Sequence, residues 1–205
     1  MGRIHSYLVL AALAIPATAS ADIFKIYGEA QGGGMYGKGI AGDHQGDSAF
    51  QGGRAAYGVA AGVQFIIFDI HAQHRQYYRD HITTWTQLTV GLHFEFDTGS
   101  EEDKKANQSG YVAFGAGLAF GVGTGAQVMP PLDNSEVTDK GFLLESRIDF
   151  GKHLNKVFDI GLAVPISYGY LFKSGNGATA NMTSSQYQSV QAEALIVLRA
   201  NIKFI

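Results

Sequence analysis

Apolar and polar side chains alternate with a period of two over most of the chain after residue 21. The clearest segment is 84–97, where large apolar residues occupy even positions and polar residues or glycine occupy most odd positions; the even set includes Leu88, Val90, Leu92, Phe94 and Phe96. Successive side chains of a β-strand point to opposite faces of its sheet. The alternation therefore predicts a strand with one apolar and one polar face.

The same alternation recurs in six further segments, namely 24–31, 54–65, 111–125, 140–150, 157–172 and 191–204. An additional segment, 69–79, carries polar residues on both faces, so its parity is ambiguous. We count it as a strand because an up-and-down barrel of this kind needs an even number of strands.

Segment 111–125 has a second interpretation, because Gly117, Gly121 and Gly125 match the GxxxG spacing of packed membrane helices. Gly115 and Gly123 fall outside that helical face, but they lie with the other three glycines on one face of a strand. The strand interpretation explains more of the glycines, and we prefer it.

The composition of the two strand faces favours a membrane barrel over a soluble β-sandwich, in which the larger apolar faces would point inward. The apolar faces run for about nine to eleven residues, which a tilted strand needs to cross the hydrocarbon. The opposite faces combine glycine and alanine with isolated charges of both signs. Buried charges require opposite partners, so we expect an interior charge network that fills the lumen, formed by Glu29, Glu95, Glu145, Arg147, Glu193 and Arg199.

Aromatic residues gather near the ends of the predicted strands, as they do in the two interfacial girdles of membrane barrels. One set lies toward the long connectors and comprises Tyr57, Tyr78, Trp85, Tyr168, Tyr170 and Phe172. The other lies toward the short connectors and comprises Phe24, Phe65, Phe94, Phe96, Phe150, Phe158 and Phe204.

The connectors between the predicted strands differ in length. Segments 37–53, 127–139 and 173–187 are long and polar, whereas 66–69 and 151–156 are short. Long outer loops and short periplasmic turns are typical of outer-membrane barrels. Segment 98–109 departs from this pattern, because it should be a periplasmic turn and yet is long and charged. The prediction is a closed, antiparallel, up-and-down transmembrane β-barrel of about eight strands.

Composition and the N-terminus agree with export. Of 205 residues, 16% are charged, against about 25% in a typical soluble domain, and none is cysteine. Arg3, the apolar run 8–15 and the small residues 19–21 form a signal peptide that we expect to be cleaved after Ala21. This divides the chain into a signal peptide, 1–21, and a barrel, 22–205. Basic residues are few and scattered, so we expect no nucleic-acid partner.

In these features the chain resembles the small OmpA/OmpX-type outer-membrane barrels, and the resemblance covers nearly all of residues 22–205. It implies a place in the outer membrane of a Gram-negative bacterium, with outer-membrane lipids and lipopolysaccharide as partners. The last strand, 198–205, looks like the C-terminal signal that the outer-membrane assembly machinery reads. That signal usually ends on an aromatic residue, and here the aromatic Phe204 is penultimate.

The histidines give no clear catalytic or metal site. His71 and His74 would point to opposite faces of one strand, and Asp43, His44 and Asp47 fit a solvated loop better than a weak cation site. His93 shares the inner face of its strand with Glu95, where a hydrogen-bonded interior histidine is expected. Barrel enzymes that deacylate lipopolysaccharide place serine and histidine on the lipid-facing wall instead. We expect no cofactor.

Three functions are compatible with this sequence. The first is a non-enzymatic scaffold with a side-chain-filled lumen that displays its loops at the cell surface to ligands the sequence does not identify. The second is a narrow pore for small solutes, similar to OmpW-like barrels, which the inward glycines would leave room for. The third is a lipid A-modifying barrel enzyme, which the placement of the histidines disfavours.

Overall fold

The computed structural model describes residues 23–42, 52–79, 82–129, 133–176 and 185–204, which form eight strands and one short helix. The strands are β1 (Phe24–Gly42), β2 (Gly52–Phe65), β3 (Phe68–Tyr78), β4 (Ile82–Thr98), β5 (Gly110–Met129), β6 (Asp133–His153), β7 (Phe158–Asn176) and β8 (Ser185–Phe204). The helix, α1 (Glu101–Ala106), connects β4 to β5.

Each strand pairs in antiparallel fashion with its neighbours in sequence, and β8 pairs with β1 to close the barrel. The predicted fold class is confirmed, and the ambiguous segment 69–79 forms β3, a full member of the sheet. No helix among the described residues is long and apolar enough to cross a membrane. The predicted signal peptide and its cleavage site lie outside the described residues.

The two faces of the wall differ as the alternation predicts. Leu118 of β5 points outward with 70% of its surface exposed, whereas the next residue, Ala119, points inward with 3% exposed. Large apolar side chains cover the outside of the barrel, with Val59, Phe68, Phe142 and Ile196 among the most exposed. Most of the buried polar and charged side chains face the lumen. The apolar and polar regions are thus inverted relative to a water-soluble protein.

The two ends of the barrel differ in their connections. We call one the turn end; it holds the Ile66–Ile67 turn, helix α1, residues 154–157 and the ends of the described chain at Ile23 and Phe204. The other is the loop end. There β1 continues to Gly42, β5 to Met129 and β7 to Asn176, so the predicted loops 37–53, 127–139 and 173–187 were drawn too long. Strand segments with polar residues on both faces lack the alternation on which the prediction depended.

Helix α1 explains the long charged connector at the turn end. The Ser100 hydroxyl accepts a hydrogen bond from the backbone N–H of Asp103, and the Asp103 carboxylate accepts one from the backbone N–H of Ser100. This reciprocal capping box begins the helix, and Asn107 ends it in the left-handed conformation with φ of 53°. A charged segment with its own caps needs no core, and none of the helical residues is buried.

Aromatic side chains fill the space above several inward glycines. A Cβ added to Gly121 would lie 2.0 Å from Cζ2 of Trp85, and one added to Gly62 would lie 2.7 Å from Cζ of Tyr27. Trp85 is therefore a lumen residue with 1% of its surface exposed, and its assignment to the aromatic girdle was wrong. Trp85 faces the lumen because it occupies an odd position in β4, on the same face of the strand as Gln87 and Thr89.

Candidate functional site in the barrel lumen

The lumen contains an apolar layer toward the loop end and charged residues below it. The apolar layer is part of a buried cluster that includes Tyr77, Trp85, Leu171 and Tyr187. Tyr77 lies on the loop side of Arg75 in β3, and Trp85 lies on the loop side of Glu95 in β4. In the same way, Leu171 lies on the loop side of Asp159 in β7, and Tyr187 lies on the loop side of Glu193 in β8. Packed apolar side chains therefore lie between most of the charged lumen residues and the loop end, whereas the buried Asp139 of β6 lies level with Trp85.

The centre of the charged layer is Glu29 of β1, which is bound by two arginines. Nη2 of Arg147 lies 3.0 Å from Oε2 of Glu29, and Nε of Arg199 lies 2.7 Å from Oε1. Both arginines also reach Asp149, at 2.8 Å and 2.9 Å. Two guanidinium groups thus share two carboxylates, which compensates charges that burial would otherwise strongly destabilise. Glu95 joins this group through Arg199 at 3.5 Å and also pairs with Lys25 at 3.2 Å.

A second charged group surrounds Arg75 of β3. Its Nη1 lies 2.6 Å from Oε1 of Glu193, which also accepts a hydrogen bond from the Tyr77 hydroxyl. Nη2 of Arg75 donates to Gln73, and Gln73 in turn donates to Glu145 at 3.4 Å. This group is organised by amides and one tyrosine as well as by ion pairs.

The Gln31 side chain connects the two groups. Its Nε2 donates to Glu29 at 2.7 Å, and its Oε1 accepts from Nε of Arg75 at 2.9 Å. Gln87 donates at 2.8 Å to Oε2 of Glu145, the same oxygen that accepts from Gln73, and Nε2 of His71 lies 3.7 Å from Oε1 of Glu145. A continuous polar network therefore crosses the lumen.

All six residues predicted for the interior network face the lumen. The structure brings Glu29, Arg147 and Arg199 into direct contact and reaches Glu95 through Arg199, whereas Glu145 and Glu193 belong to the second group. The sequence reasoning missed other members: Lys25, Asp69, His71, Arg75 and Asp149. Asp69, His71 and Arg75 were missed because the parity of β3 is ambiguous. Lys25 and Asp149 could have been identified, because each occupies an inward position in a strand of clear parity.

Histidines occupy three kinds of position. His93 faces inward as predicted and lies 3.9 Å from Glu95. His74 faces outward, with Nδ1 2.8 Å from the Thr86 hydroxyl, and His71 faces inward, so the two point to opposite faces as predicted. His153, at the turn end, lies between Asp159 and Asp97 at 2.6 Å and 3.0 Å. The candidate loop residues Asp43, His44 and Asp47 lie outside the described residues.

Phe204, the predicted assembly signal, is exposed on the outer wall at the turn end. Its ring centroid lies 5.6 Å from that of Phe24, the residue opposite it on the first strand. The aromatic pair spans the seam where the two ends of the chain meet.

The cavity in the charged layer is small. Its volume is about 30 Å³, and its lining includes Tyr27, Glu29, His71, Glu145 and Arg147. A polar cavity of this size has room for roughly two water molecules. The expectation that inward glycines leave open space is wrong at Gly62, Gly121 and Gly151, because tyrosine or tryptophan rings occupy that space. It is also wrong at Gly161, where the backbone oxygen of Phe150 and the Tyr111 hydroxyl do so.

Comparisons with protein-family profiles and with curated protein sequences find no match. Among solved structures, the chain is similar to Neisserial surface protein A, with 13% identity, a TM-score of 0.51 and coverage of 88% of this chain and 97% of that one. Matches at a TM-score of 0.46 include OprG from Pseudomonas aeruginosa, with 13% identity over 88% of this chain and 96% of that one. AlkL, solved in lipid bilayers, also has a TM-score of 0.46, with 9% identity over 93% of this chain and 96% of that one. The closed eight-stranded barrel and the match to Neisserial surface protein A together show that the chain has the fold of the small outer-membrane barrels.

Proposed function

We propose that this protein is a non-enzymatic scaffold in the outer membrane of a Gram-negative bacterium, formed by residues 22–205 after removal of residues 1–21. The observation that carries the proposal is the inverted barrel, apolar outside and charge-paired inside. Exposed groups such as Leu118, Phe142 and Ile196 gain no hydrophobic stabilisation in water, but they match lipid chains. Closure of β1 on β8 satisfies the backbone hydrogen bonds that a sheet edge would leave open in hydrocarbon.

The filling of the lumen supports a scaffold over a pore. The buried apolar cluster that includes Tyr77, Trp85 and Leu171 fills lumen space on the loop side of the charged residues of the same strands. Below it, the arginine–carboxylate contacts occupy the centre, and the cavity there is only about 30 Å³. A conduit for small solutes would require both layers to rearrange.

The placement of histidine–carboxylate pairs supports a non-enzymatic role. A hydrolase of the histidine-base type needs an oriented histidine beside a nucleophile at the position of its substrate. The three described histidines with a carboxylate within 4 Å are His71, His93 and His153, and all three face the inside of the barrel. His74 does face outward beside the Thr86 hydroxyl, but among the described residues no carboxylate lies within ion-pair distance of His74 to orient its ring as a base.

The proposal also assigns the two ends. The turn end would face the periplasm, and the connectors of the loop end would face the cell surface, where they would contact lipopolysaccharide or surface ligands. The exposed Phe204 at the turn end would be read by the assembly machinery before the barrel closes.

Single-channel recording in planar bilayers tests the scaffold proposal against the pore. We expect the refolded wild-type protein to be electrically silent and to migrate differently on gels before and after heating. Stable, reproducible conductance steps would contradict the proposal. Incubation with lipopolysaccharide followed by mass spectrometry tests the enzyme alternative, and we expect lipid A to keep its mass.

A further inference from the structure

The turn end of the lumen brings an imidazole and two carboxylates together at the mouth of the barrel. Ligand atoms of Glu95, Asp97 and His153 all lie within 4.8 Å of one another. Glu95 and Asp97 share the inner face of β4, and His153 is the last residue of β6, so distant parts of the chain meet here. We propose that these three residues form a site for a divalent transition-metal ion, with Zn²⁺ as the ion they suit best.

The orientation of His153 is the main support for this site. Nδ1 lies 2.6 Å from Oδ1 of Asp159, whose other oxygen accepts a hydrogen bond from the Asn201 amide. The Tyr111 ring lies against the imidazole, with centroids 5.0 Å apart. A carboxylate on one imidazole nitrogen and a metal on the other is the usual arrangement of metal-binding histidines. Asp159 therefore fixes the ring so that Nε2 faces Asp97.

The distances require only a small adjustment to accept an ion. Nε2 of His153 lies 3.0 Å from Oδ1 of Asp97. Two ligands of tetrahedral zinc, each about 2.1 Å from the metal, are roughly 3.4 Å apart. The ion would replace the hydrogen bond between Nε2 and Asp97. Glu95 would have to approach more closely, and its Oε2 already contacts Lys25 and Arg199, so we expect it to be the weakest ligand.

The surroundings of the site bear on access and on the choice of ion. The Asp97 side chain is 42% exposed, and Asp97, His153 and Asp159 line a cavity of about 40 Å³ that could hold water as a further ligand. Lys104, Lys156 and Lys203 line the same cavity. Their positive charges oppose the binding of any cation, Zn²⁺ included. The site offers two carboxylates and one imidazole, which are fewer oxygen ligands than Ca²⁺ usually takes, so it is poorly suited to Ca²⁺. An imidazole ligand favours zinc instead.

Isothermal titration calorimetry of the detergent-solubilised barrel, with Zn²⁺ as the only added ligand, tests the proposal. We expect one Zn²⁺ per chain for the wild type and loss of this binding in His153→Gln. Asp159→Asn should keep the stoichiometry but weaken binding about 10–100-fold, because it removes only the group that orients the ligand. His74→Gln, which changes an outward histidine on β3, is the matched control and should bind as the wild type does.

Folding of each variant is checked by its heat-modifiable gel migration. If His153→Gln does not fold, Asp97→Asn at the exposed rim serves in its place, with at least a 10-fold loss of affinity expected. Absence of saturable Zn²⁺ binding by the folded wild type would overturn the proposal and leave His153 as a purely structural bridge. Equal binding by the wild type and folded His153→Gln or Asp97→Asn would also overturn it.

Discussion

Arg199 on the last strand lies directly opposite Glu29 on the first strand, and its Nε donates to Oε1 of Glu29 at 2.7 Å. The pair therefore joins the two ends of the chain inside the barrel, next to the seam whose backbone hydrogen bonds close the sheet. Because the Glu29 side chain is completely buried, its charge depends on Arg199 and Arg147 for compensation.

Replacing Arg199 with alanine should strongly destabilise the barrel. The change leaves Glu29 with one arginine and removes the second arginine of Asp149, and loss of one member of a buried ion pair costs about 3–5 kcal/mol. Equilibrium urea unfolding in lipid vesicles measures the free energy of unfolding. Leu198→Ala, which alters the adjacent outward residue, is the control and should cost much less. Equal losses in the two variants would show that the lumen pairs do not stabilise the fold.

Glu145→Ala should lower the melting temperature in detergent. The substitution removes the acceptor for the Gln87 amide at 2.8 Å and for the Gln73 amide at 3.4 Å, and it leaves His71 without its second carboxylate. Buried donors that lose their partner cost about 1–3 kcal/mol each. Thermal unfolding monitored by circular dichroism compares the melting temperature of Glu145→Ala with that of Leu144→Ala, which alters the adjacent outward residue. An unchanged melting temperature for Glu145→Ala would count against the network.

Gly121→Ala should disturb the packing of Trp85. A Cβ at Gly121 would overlap the indole, and overpacking of this kind costs about 1–3 kcal/mol. Trp85 is the only tryptophan, so its fluorescence reports the change directly. Gly32→Ala is the matched control, because no atom lies within 4 Å of its added Cβ. A wild-type emission spectrum and wild-type stability for Gly121→Ala would mean that Trp85 does not occupy this space.

The capping box of helix α1 should make the helix sensitive to acid. The hydrogen bonds from the Ser100 hydroxyl and backbone N–H lower the pKa of Asp103 below its ordinary value. A lowered folded-state pKa means that the stabilisation is present above the unfolded-state pKa and is lost as pH falls through the folded-state pKa. In Ser100→Ala the pKa of Asp103 should rise toward the ordinary value.

Carbon-detected NMR titration of the Asp103 carboxyl measures this shift. Glu102→Gln, in the same helix but outside the cap, should leave the pKa of Asp103 nearly unchanged. A pKa of Asp103 that is the same in Ser100→Ala and in the wild type would show that the cap does not form in solution.

The alternation of side chains was sufficient to predict the barrel, because a wall between lipid and a polar lumen imposes a period of two on every strand. The prediction failed where the contrast between the apolar and the polar face of a strand is weak. On β3, outward polar residues such as His74 and Gln76 blurred the parity, and at the loop end the strands extend beyond the alternating segments. The length of the hairpin between β5 and β6 could therefore not be predicted.

The candidate site was predictable in part. Parity placed Glu29, Arg147 and Arg199 in the lumen, but pairing depends on the stagger between strands and on rotamers, which the sequence does not display. Arg75 was missed because the ambiguous parity of β3 did not show which face of the strand points into the lumen. The cluster at His153 depends on the meeting of β4, β6 and β7 at one end of the barrel, which only the closed sheet reveals.

The contact between the outer wall and lipid is tested most directly by fluorescence quenching with brominated acyl chains. A single tryptophan is placed outward by Leu118→Trp in a Trp85→Phe background, and the wild-type protein supplies the inward Trp85. In vesicles, the tryptophan at position 118 should be strongly quenched by brominated chains and little affected by aqueous acrylamide, whereas Trp85 should be protected from both. Quenching of position 118 by acrylamide but not by brominated lipid would contradict the assignment of this surface to the membrane.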